Sequence, residues 1–169
     1  MKNKYSKPPV YYPIFLNIKG KRCVVVGGGQ IALRKIKMLL DGKANVFVIS
    51  SNPHSEIIRL SSRKAIHLIQ RDYKTGDLKD AAITFACTDV KEVNRKVAEA
   101  FNRHGILVNV VDDSELSDFI IPSSFRRGGL SVAVSTSGMS PAFAKKVRAK
   151  LEKNIGIEYA YLLSLIAEI

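Results

Sequence analysis

Residues 22–33 read Arg22-Cys-Val-Val-Val-Gly-Gly-Gly-Gln-Ile-Ala-Leu33: an unbroken apolar run, three glycines, then the start of an amphipathic segment. The run Cys23 to Val26 suits a buried strand, and Ile31, Ile36 and Leu40 can share one helical face. Strand, turn and helix therefore follow without a break. Gly27, Gly29 and Ala32 fit the dinucleotide pattern G-x-G-x-x-G/A, and each small residue has a separate task. Gly27 permits the tight turn, Gly29 lets a pyrophosphate approach the backbone, and Ala32 lets helix and strand pack closely. The free amides near Gln30 and Ile31 would hold the phosphates, because a helix N-terminus carries unpaired donors and partial positive charge. A glycine turn that merely joins strand to helix is the plainer reading, and the unbroken context favours nucleotide binding over it.

One part of the pattern is missing. The acidic residue expected about 20 residues on, at the end of the second strand, would hold the ribose 2′-OH. Here that strand, Asn45 to Ile49, runs into Ser50, Ser51, Asn52 and Pro53. Hydroxyls and an amide can still bond a ribose, but they discriminate poorly between NAD and NADP.

The 169 residues allow one full domain core plus a small addition, and 46% hydrophobic with 25% charged residues is ordinary for a globular chain. No apolar run approaches a membrane span, and the first residues have no signal-peptide core, so a cytoplasmic protein without membrane partners is expected. Cys23 and Cys87 both fall inside predicted buried strands, which suits small reduced core residues better than a disulfide or a metal site. Less ordinary is the charge: 27 Lys and Arg against 15 Asp and Glu leave +12. Such an excess suits a polyanionic partner, whether nucleic acid, a membrane surface or a small molecule with many carboxylates. It also suits a simple solvated surface, since the basic residues are spread along the chain and no nucleic-acid motif accompanies them.

Along the chain, Tyr11 to Ile18 is expected to lie against the sheet as an edge segment, because Pro13 argues against a central strand. Gly42 fits a helix stop. A short helix from Ser55 to Arg63 and a strand from Ala65 to Gln70 complete a second unit, and strands alternating with helices predict a parallel sheet. Ala81 to Asp89 forms a fourth strand that ends in polar residues. Thr88 and Asp89 then stand where a cofactor would pass, outside the carboxyl ends of the strands. Asp89 serves equally well as N-cap of the next helix. In that helix Val90, Val93, Val97 and Phe101 keep core spacing. Gly105 to Asp113 is a fifth strand, with Asn109 and Asp112 at or near its carboxyl end.

Past Asp113 the alternation stops. Phe119 to Ser123 and Leu130 to Ser135 read as two short strands flanking Ser124-Phe-Arg-Arg-Gly-Gly129, a hairpin-like unit. Thr136 to Ala142 opens a helix with Ser140 at N-cap and Pro141 at the first helical position. Lys145, Lys146 and Arg148 follow, a basic corner suited to carboxylates. Ile155 to Ile169 is an apolar-rich helix without a stop signal, so a further helical part is expected beyond it. The boundary between the nucleotide-binding unit and the smaller one is drawn at about Asp113.

Taken together, Tyr12-Pro-Ile-Phe15, Val24-Val-Val-Gly-Gly-Gly29, Ala86-Cys-Thr-Asp89, Val108-Asn-Val-Val-Asp112, Phe119-Ile-Ile-Pro-Ser123, Val132-Ala-Val-Ser135 and Ser137-Gly-Met-Ser-Pro141 closely resemble the precorrin-2 dehydrogenase family. This is the N-terminal module of siroheme synthase, and the likeness runs from Tyr12 to about Lys153. It implies an α/β chain: a Rossmann-like NAD-binding domain over 1–113, a β dimerisation unit over 114–140 and a helical part over 141–169. It also implies that NAD oxidises precorrin-2, an octacarboxylate tetrapyrrole, to sirohydrochlorin, with some members then inserting iron or cobalt. A polycarboxylate substrate accounts for the charge without nucleic acid. The resemblance gives Asp112 the catalytic role, as proton acceptor or as anchor for a pyrrole N–H. A loop aspartate capping a turn is the bland alternative.

By the same resemblance Gly27, Gly29, Gln30, Ile31, Ser51, Asn52, Thr88 and Asp89 surround the dinucleotide. Asn109, Thr136, Ser137, Lys145 and Arg148 then bind substrate. The chain departs from the pattern after Val132-Ala-Val-Ser135, where some members have a second serine and this one has Thr136, with Ser137 behind it. His54, His67 and His104 form no spaced metal motif, so no metal ligand is assigned and chelation stays open. A homodimer is implied, and the short strands around Ile120 and Val132 are too small a sheet to stand alone. Two other classes compete: a non-catalytic NAD-binding regulatory domain, and a basic nucleic-acid-binding protein.

Overall fold

The computed structural model describes residues 10–100 and 105–168. The chain divides into two compact units: one takes in Pro13–Phe119, the other Ile120 onward together with the residues up to Tyr12. The first is a five-stranded, wholly parallel sheet in the order β3-β2-β1-β4-β5. Its elements are β1 (Arg22–Val26), α1 (Gln30–Asp41), β2 (Asn45–Ile49), α2 (Ser55–Ser62), β3 (His67–Ile69), β4 (Ile83–Ala86), α3 (Lys91–Ala98) and β5 (Leu107–Val110). The predicted α/β alternation is what forms. β1 and β4 are almost free of polar side chains because a parallel sheet is covered on both faces; Cys23 to Val26 and Ile83 to Ala86 are all buried.

Several boundaries differ from expectation, each for a physical reason. Helix α1 buries Ala32, Leu33, Ile36 and Leu39, while Ile31 and Leu40 lie at the margin. Ala32 draws the buried face toward itself because only a small residue lets the helix settle on the sheet. In α3, Val97 is buried and Val93 partly so, but Val90 is 56% exposed because it precedes the helix as its N-cap. Phe101 and His104 lie outside the described residues, as do residues 1–9 and Ile169. Cys87 falls one residue past β4 and is half-buried, not inside the strand. Tyr11 to Ile18 form no strand, and Tyr12, Ile14 and Phe15 are exposed. Pro13 supplies no amide to a ladder. Ile18 lies against Gly42, where an added Cβ would come within 2.7 Å of Ile18 Cδ1.

The segment 114–119, assigned to the smaller unit by its sequence, is bonded to β5. Asp118 accepts the Val108 amide at 2.8 Å and returns its own amide to Val108 O at 2.8 Å. Ser117 Oγ accepts the Val110 amide at 2.9 Å, and Asn109 Nδ2 donates to Phe119 O at 2.8 Å. Side chains thus take the hydrogen bonds that a sixth strand would have made and blunt the sheet edge. At the other end of the molecule's first half, Asp77 staples the loop before β4. It accepts both Arg71 guanidinium nitrogens, at 2.8 and 2.7 Å, and the Lys74 amide at 2.7 Å.

The second unit holds an antiparallel hairpin, β6 (Ser123–Arg127) and β7 (Leu130–Val134), then α4 (Pro141–Asn154) and α5 (Glu158–Ile166). The first hairpin strand lies later than its sequence suggested. Pro122 has no amide to donate, whereas Ser124, Phe125 and Arg126 alternate exposed, buried and exposed, as a strand on one packed face requires. Gly128, at φ +56°, turns the chain, and an added Cβ there would meet Ala160 at 2.8 Å. Ser140 Oγ accepts the Phe143 amide at 3.3 Å and Pro141 opens α4, as the sequence indicates. Helix α5 leaves Tyr161, Leu162, Leu165 and Ile166 more than half exposed. No described helix is long and apolar enough to cross a membrane.

Two consequences are measurable. Ile36 is fully buried under the sheet, so Ile36→Ala costs about 3 kcal/mol and lowers the melting temperature by roughly 6–12 °C. A fall below about 2 °C would contradict that packing. The Arg71 guanidinium holds the Asp77 carboxyl below its ordinary 3.8. A carboxyl depressed in the folded state stabilises above its unfolded pKa, and the contribution is lost as pH falls through the folded one. Acid unfolding of the parent should therefore show a limb below pH 3.8 that Asp77→Asn lacks, and an identical limb in both proteins would refute the assignment.

Candidate functional site

The strand order sets the site. From β1 the chain proceeds outward to β2 and β3, then crosses back to β4 and β5 on β1's other side. The connections after β1 and β4 therefore diverge, and a crevice opens at the carboxyl ends of those two strands. Gly27 enters this crevice at φ +122°, and an added Cβ would lie 2.2 Å from the Cys87 carbonyl oxygen. The close approach is fixed by two backbone bonds, Gly27 N–H to Ile49 O at 2.8 Å and Cys87 N–H to Val26 O at 2.7 Å. Gly28, which the pattern leaves free, is equally restricted: an added Cβ would meet Ser50 Oγ at 2.3 Å and Pro53 Cα at 2.8 Å.

Gly29 is the contrast. It is exposed, has an ordinary φ of −82°, and nothing lies within 4 Å of where a Cβ would be. It caps α1 without any side-chain bond, and the first turn holds no acidic residue. The amides at the start of α1, including those of Gln30 and Ile31, thus have no capping side chain and no first-turn carboxylate competing for them. Ala32 is fully buried. A turn closed at Gly27 and Gly28 and open at Gly29 fits a dinucleotide pyrophosphate, which needs close backbone approach on one side only.

Ser51 and Asn52 are exposed at the end of β2, on the same sheet edge. Behind them His54 bonds back to the glycine turn: its amide donates to Gly28 O at 2.8 Å, and its Nε2 lies 2.8 Å from the Gln30 carboxamide. Its Nδ1 accepts the Glu56 amide at 3.1 Å, which makes it the N-cap of α2. The sequence had offered His54 only as an unassigned histidine. The signal that could have found it is the Pro53-His54 pair directly before a helix.

At the end of β4, Thr88 is held by Asn94. Thr88 Oγ1 donates to Asn94 Oδ1 at 2.8 Å, and Asn94 Nδ2 donates to Thr88 O at 2.8 Å. Thr88 Oγ1 also accepts the Val90 amide at 3.2 Å. Thr88 thus fixes the loop that leads into α3, while Asp89, which the sequence offered as N-cap, stays exposed and Val90 takes the N-cap position without a side-chain bond. Asn94, 8% exposed, was missed because it stands beside Val93 and Val97 in what looks like a plain core stripe.

Beyond β5, Asp112 is exposed and takes a left-handed backbone, φ +61°. Asn109 is buried with its amide nitrogen committed to Phe119 O, so it shapes the strap after β5. Lys35 of α1 lies 5.3 Å from the Phe85 ring centroid and within electrostatic reach of Cys87 and Asp112. Burial pulls its ammonium below the ordinary 10.5, against the raising influence of those two groups. Burial also pushes the Cys87 thiol up to about 12 and Cys23 up to about 11, so neither is a ready nucleophile.

The remaining residues singled out by sequence belong to the second unit. Thr136 Oγ1 accepts the Ser140 amide at 3.0 Å, and Ser137, at φ +51°, donates its amide to Ser135 Oγ at 3.0 Å. Lys145 is exposed on α4. Arg148 pairs with Glu152, which also meets Arg127 at 3.4 Å. Two guanidiniums thus share one carboxylate and leave a net positive charge.

Comparison with known proteins agrees with this geometry. Residues 14–123 match the family model described as "Putative NAD(P)-binding", and residues 127–154 match one described as "Sirohaem biosynthesis protein central". The siroheme synthase of Methylococcus capsulatus is 40% identical over 159 residues, covering 94% of this chain and 34% of the relative. That of Nitrosomonas europaea is 42% identical over 159 residues, covering 93% and 33%. The chain thus spans about a third of the length of these curated relatives. Among solved structures, SirC, a precorrin-2 dehydrogenase, superposes with a TM-score of 0.78 at 29% identity over 94% of this chain and 78% of that one. By the first match, which takes in the whole parallel sheet, this chain belongs to the NAD(P)-binding family that the model defines.

Proposed function

We propose that this chain oxidises precorrin-2 to sirohydrochlorin with NAD as hydride acceptor, a step of siroheme biosynthesis. The observation that carries the reading is an exposed carboxylate, Asp112, on the same sheet edge as the open turn at Gly29. The likeness to SirC supports the choice of substrate. In this reading the amides of Gln30 and Ile31 hold the pyrophosphate, Ser51 and Asn52 meet the adenosine ribose, and Thr88 and Asp89 flank the nicotinamide half. NAD supplies the hydride acceptor, and the protein supplies position and field.

Oxidation removes a hydride and a proton from the macrocycle. Asp112 acts as acceptor, for the departing proton or for a pyrrole N–H that fixes the ring. Asn109 shapes the loop that carries Asp112, and Thr136, Ser137, Lys145 and Arg148 take peripheral carboxylates of the substrate. The net charge of +12 favours such a polyanion. A homodimer through the hairpin unit is part of the proposal, supported by the exposed apolar residues of α5. So is a cytoplasmic setting, which suits two unpaired cysteines. Among the described residues no three His, Cys, Asp or Glu side chains are placed to hold a metal ion, and the proposal is confined to the oxidation.

Under anaerobic conditions, precorrin-2 and NAD should yield sirohydrochlorin and NADH one for one; bound NAD with neither product would sink the proposal. Asp112→Ala should keep the fold and NAD affinity yet lose turnover, and full turnover in that variant would remove Asp112 from the chemistry. Gly29→Val should fold normally, since its φ suits any residue and the space is empty, while losing NAD binding. Retained affinity in a folded Gly29→Val protein would place the pyrophosphate elsewhere.

A further inference from the structure

The β2–α2 loop does more than pass by the glycine turn. Its backbone and two side chains grip that turn at three points: His54 N–H on Gly28 O at 2.8 Å, His54 Nε2 beside the Gln30 carboxamide nitrogen at 2.8 Å, and Ser50 with Pro53 against the face of Gly28. The last contact is so close that no side chain fits on Gly28, with Ser50 Oγ 2.3 Å and Pro53 Cα 2.8 Å from an added Cβ. His54 also has its other ring nitrogen committed, because Nδ1 accepts the Glu56 amide at 3.1 Å. One imidazole therefore joins the start of α2 to the first residue of α1.

We infer that His54 is a cofactor-positioning residue, a latch that fixes the Gln30 side chain and the α1 N-terminus in the orientation that receives the dinucleotide. The inference rests on the reading of this edge as the NAD site. Its chemistry is simple. With Nδ1 occupied as an acceptor, Nε2 carries the ring proton; the Gln30 carboxamide, whose nitrogen lies 2.8 Å from Nε2, takes that proton once it is turned over to present its oxygen. Gln30 is exposed and the first residue of its helix, so without the imidazole its side chain would sample several rotamers. Ordering it beforehand removes an entropy cost that binding would otherwise bear.

The two roles of His54 can be separated. Asparagine at an N-cap accepts the same helix amide but is too short to reach Gln30. His54→Asn should therefore keep the parent melting temperature while weakening NAD binding, read by calorimetric titration, about tenfold, the effect of one lost hydrogen bond of upper-range strength. His54→Ala should lose both melting temperature and affinity. Gln30→Ala should weaken NAD to a similar degree, and the double variant His54→Asn/Gln30→Ala should be no worse than either single one, since the two residues act through one contact. Parent-like NAD affinity in His54→Asn, or losses that add in the double variant, would overturn the latch while leaving the site intact. Failure of the parent protein to bind NAD would instead remove the site, and the latch with it.

Discussion

The close approach of Gly27 to the Cys87 carbonyl is the contact on which the rest of the first unit depends. It brings the ends of β1 and β4 together with no side chain between them. Because those strands are neighbours in space but separated by β2 and β3 in sequence, their outgoing turns part company at that point. A crevice follows from topology, and a bare backbone surface follows from glycine. Everything assigned to cofactor binding sits on this edge because a parallel sheet delivers all its strand ends to one side.

What closes around the crevice is mostly side chain answering backbone. His54, Thr88 with Asn94, and the strap of Asp113, Ser117 and Asp118 each satisfy amides or carbonyls that a strand or helix end leaves open. The first turn of α1 has neither a capping side chain nor an acidic residue, whereas α3, also uncapped, carries Glu92 in its first turn. Within one unit, then, the polar groups left for a ligand stand out because their neighbours are already paired. Charge works at longer range. The +12 excess is spread over the chain, and in the second unit two arginines around Glu152 keep a positive balance that one carboxylate does not cancel.

The fold was legible where one residue type admits one conformation. Three glycines after an apolar run, Gly42 after α1, and Ser140-Pro141 before α4 each marked an element end that the structure keeps. It was less legible where the outcome depends on distant partners. Residues 114–119 were placed in the smaller unit because the strand–helix alternation stops there, and the edge hydrogen bonds of β5 hold them to the first unit. Phe119 to Ser123 looks like a strand by composition, yet Phe119 is spent on Phe85, at 5.6 Å between ring centroids, and on Asn109. Among site residues, the glycine-turn positions were readable from spacing. Asn94, Lys35 and His54 were not, because each lies within an amphipathic or loop segment where its type alone carries no signal.

The central claim is that the dinucleotide lies across the glycine turn, and amide chemical-shift mapping by NMR tests it most directly. Titration of NAD into labelled protein should move the amides of Gly29, Gln30 and Ile31 most, followed by those of Ser51, Asn52, Thr88 and Asp89. Shifts concentrated on the basic helix α4, with Gly29 to Ile31 unmoved, would contradict the account.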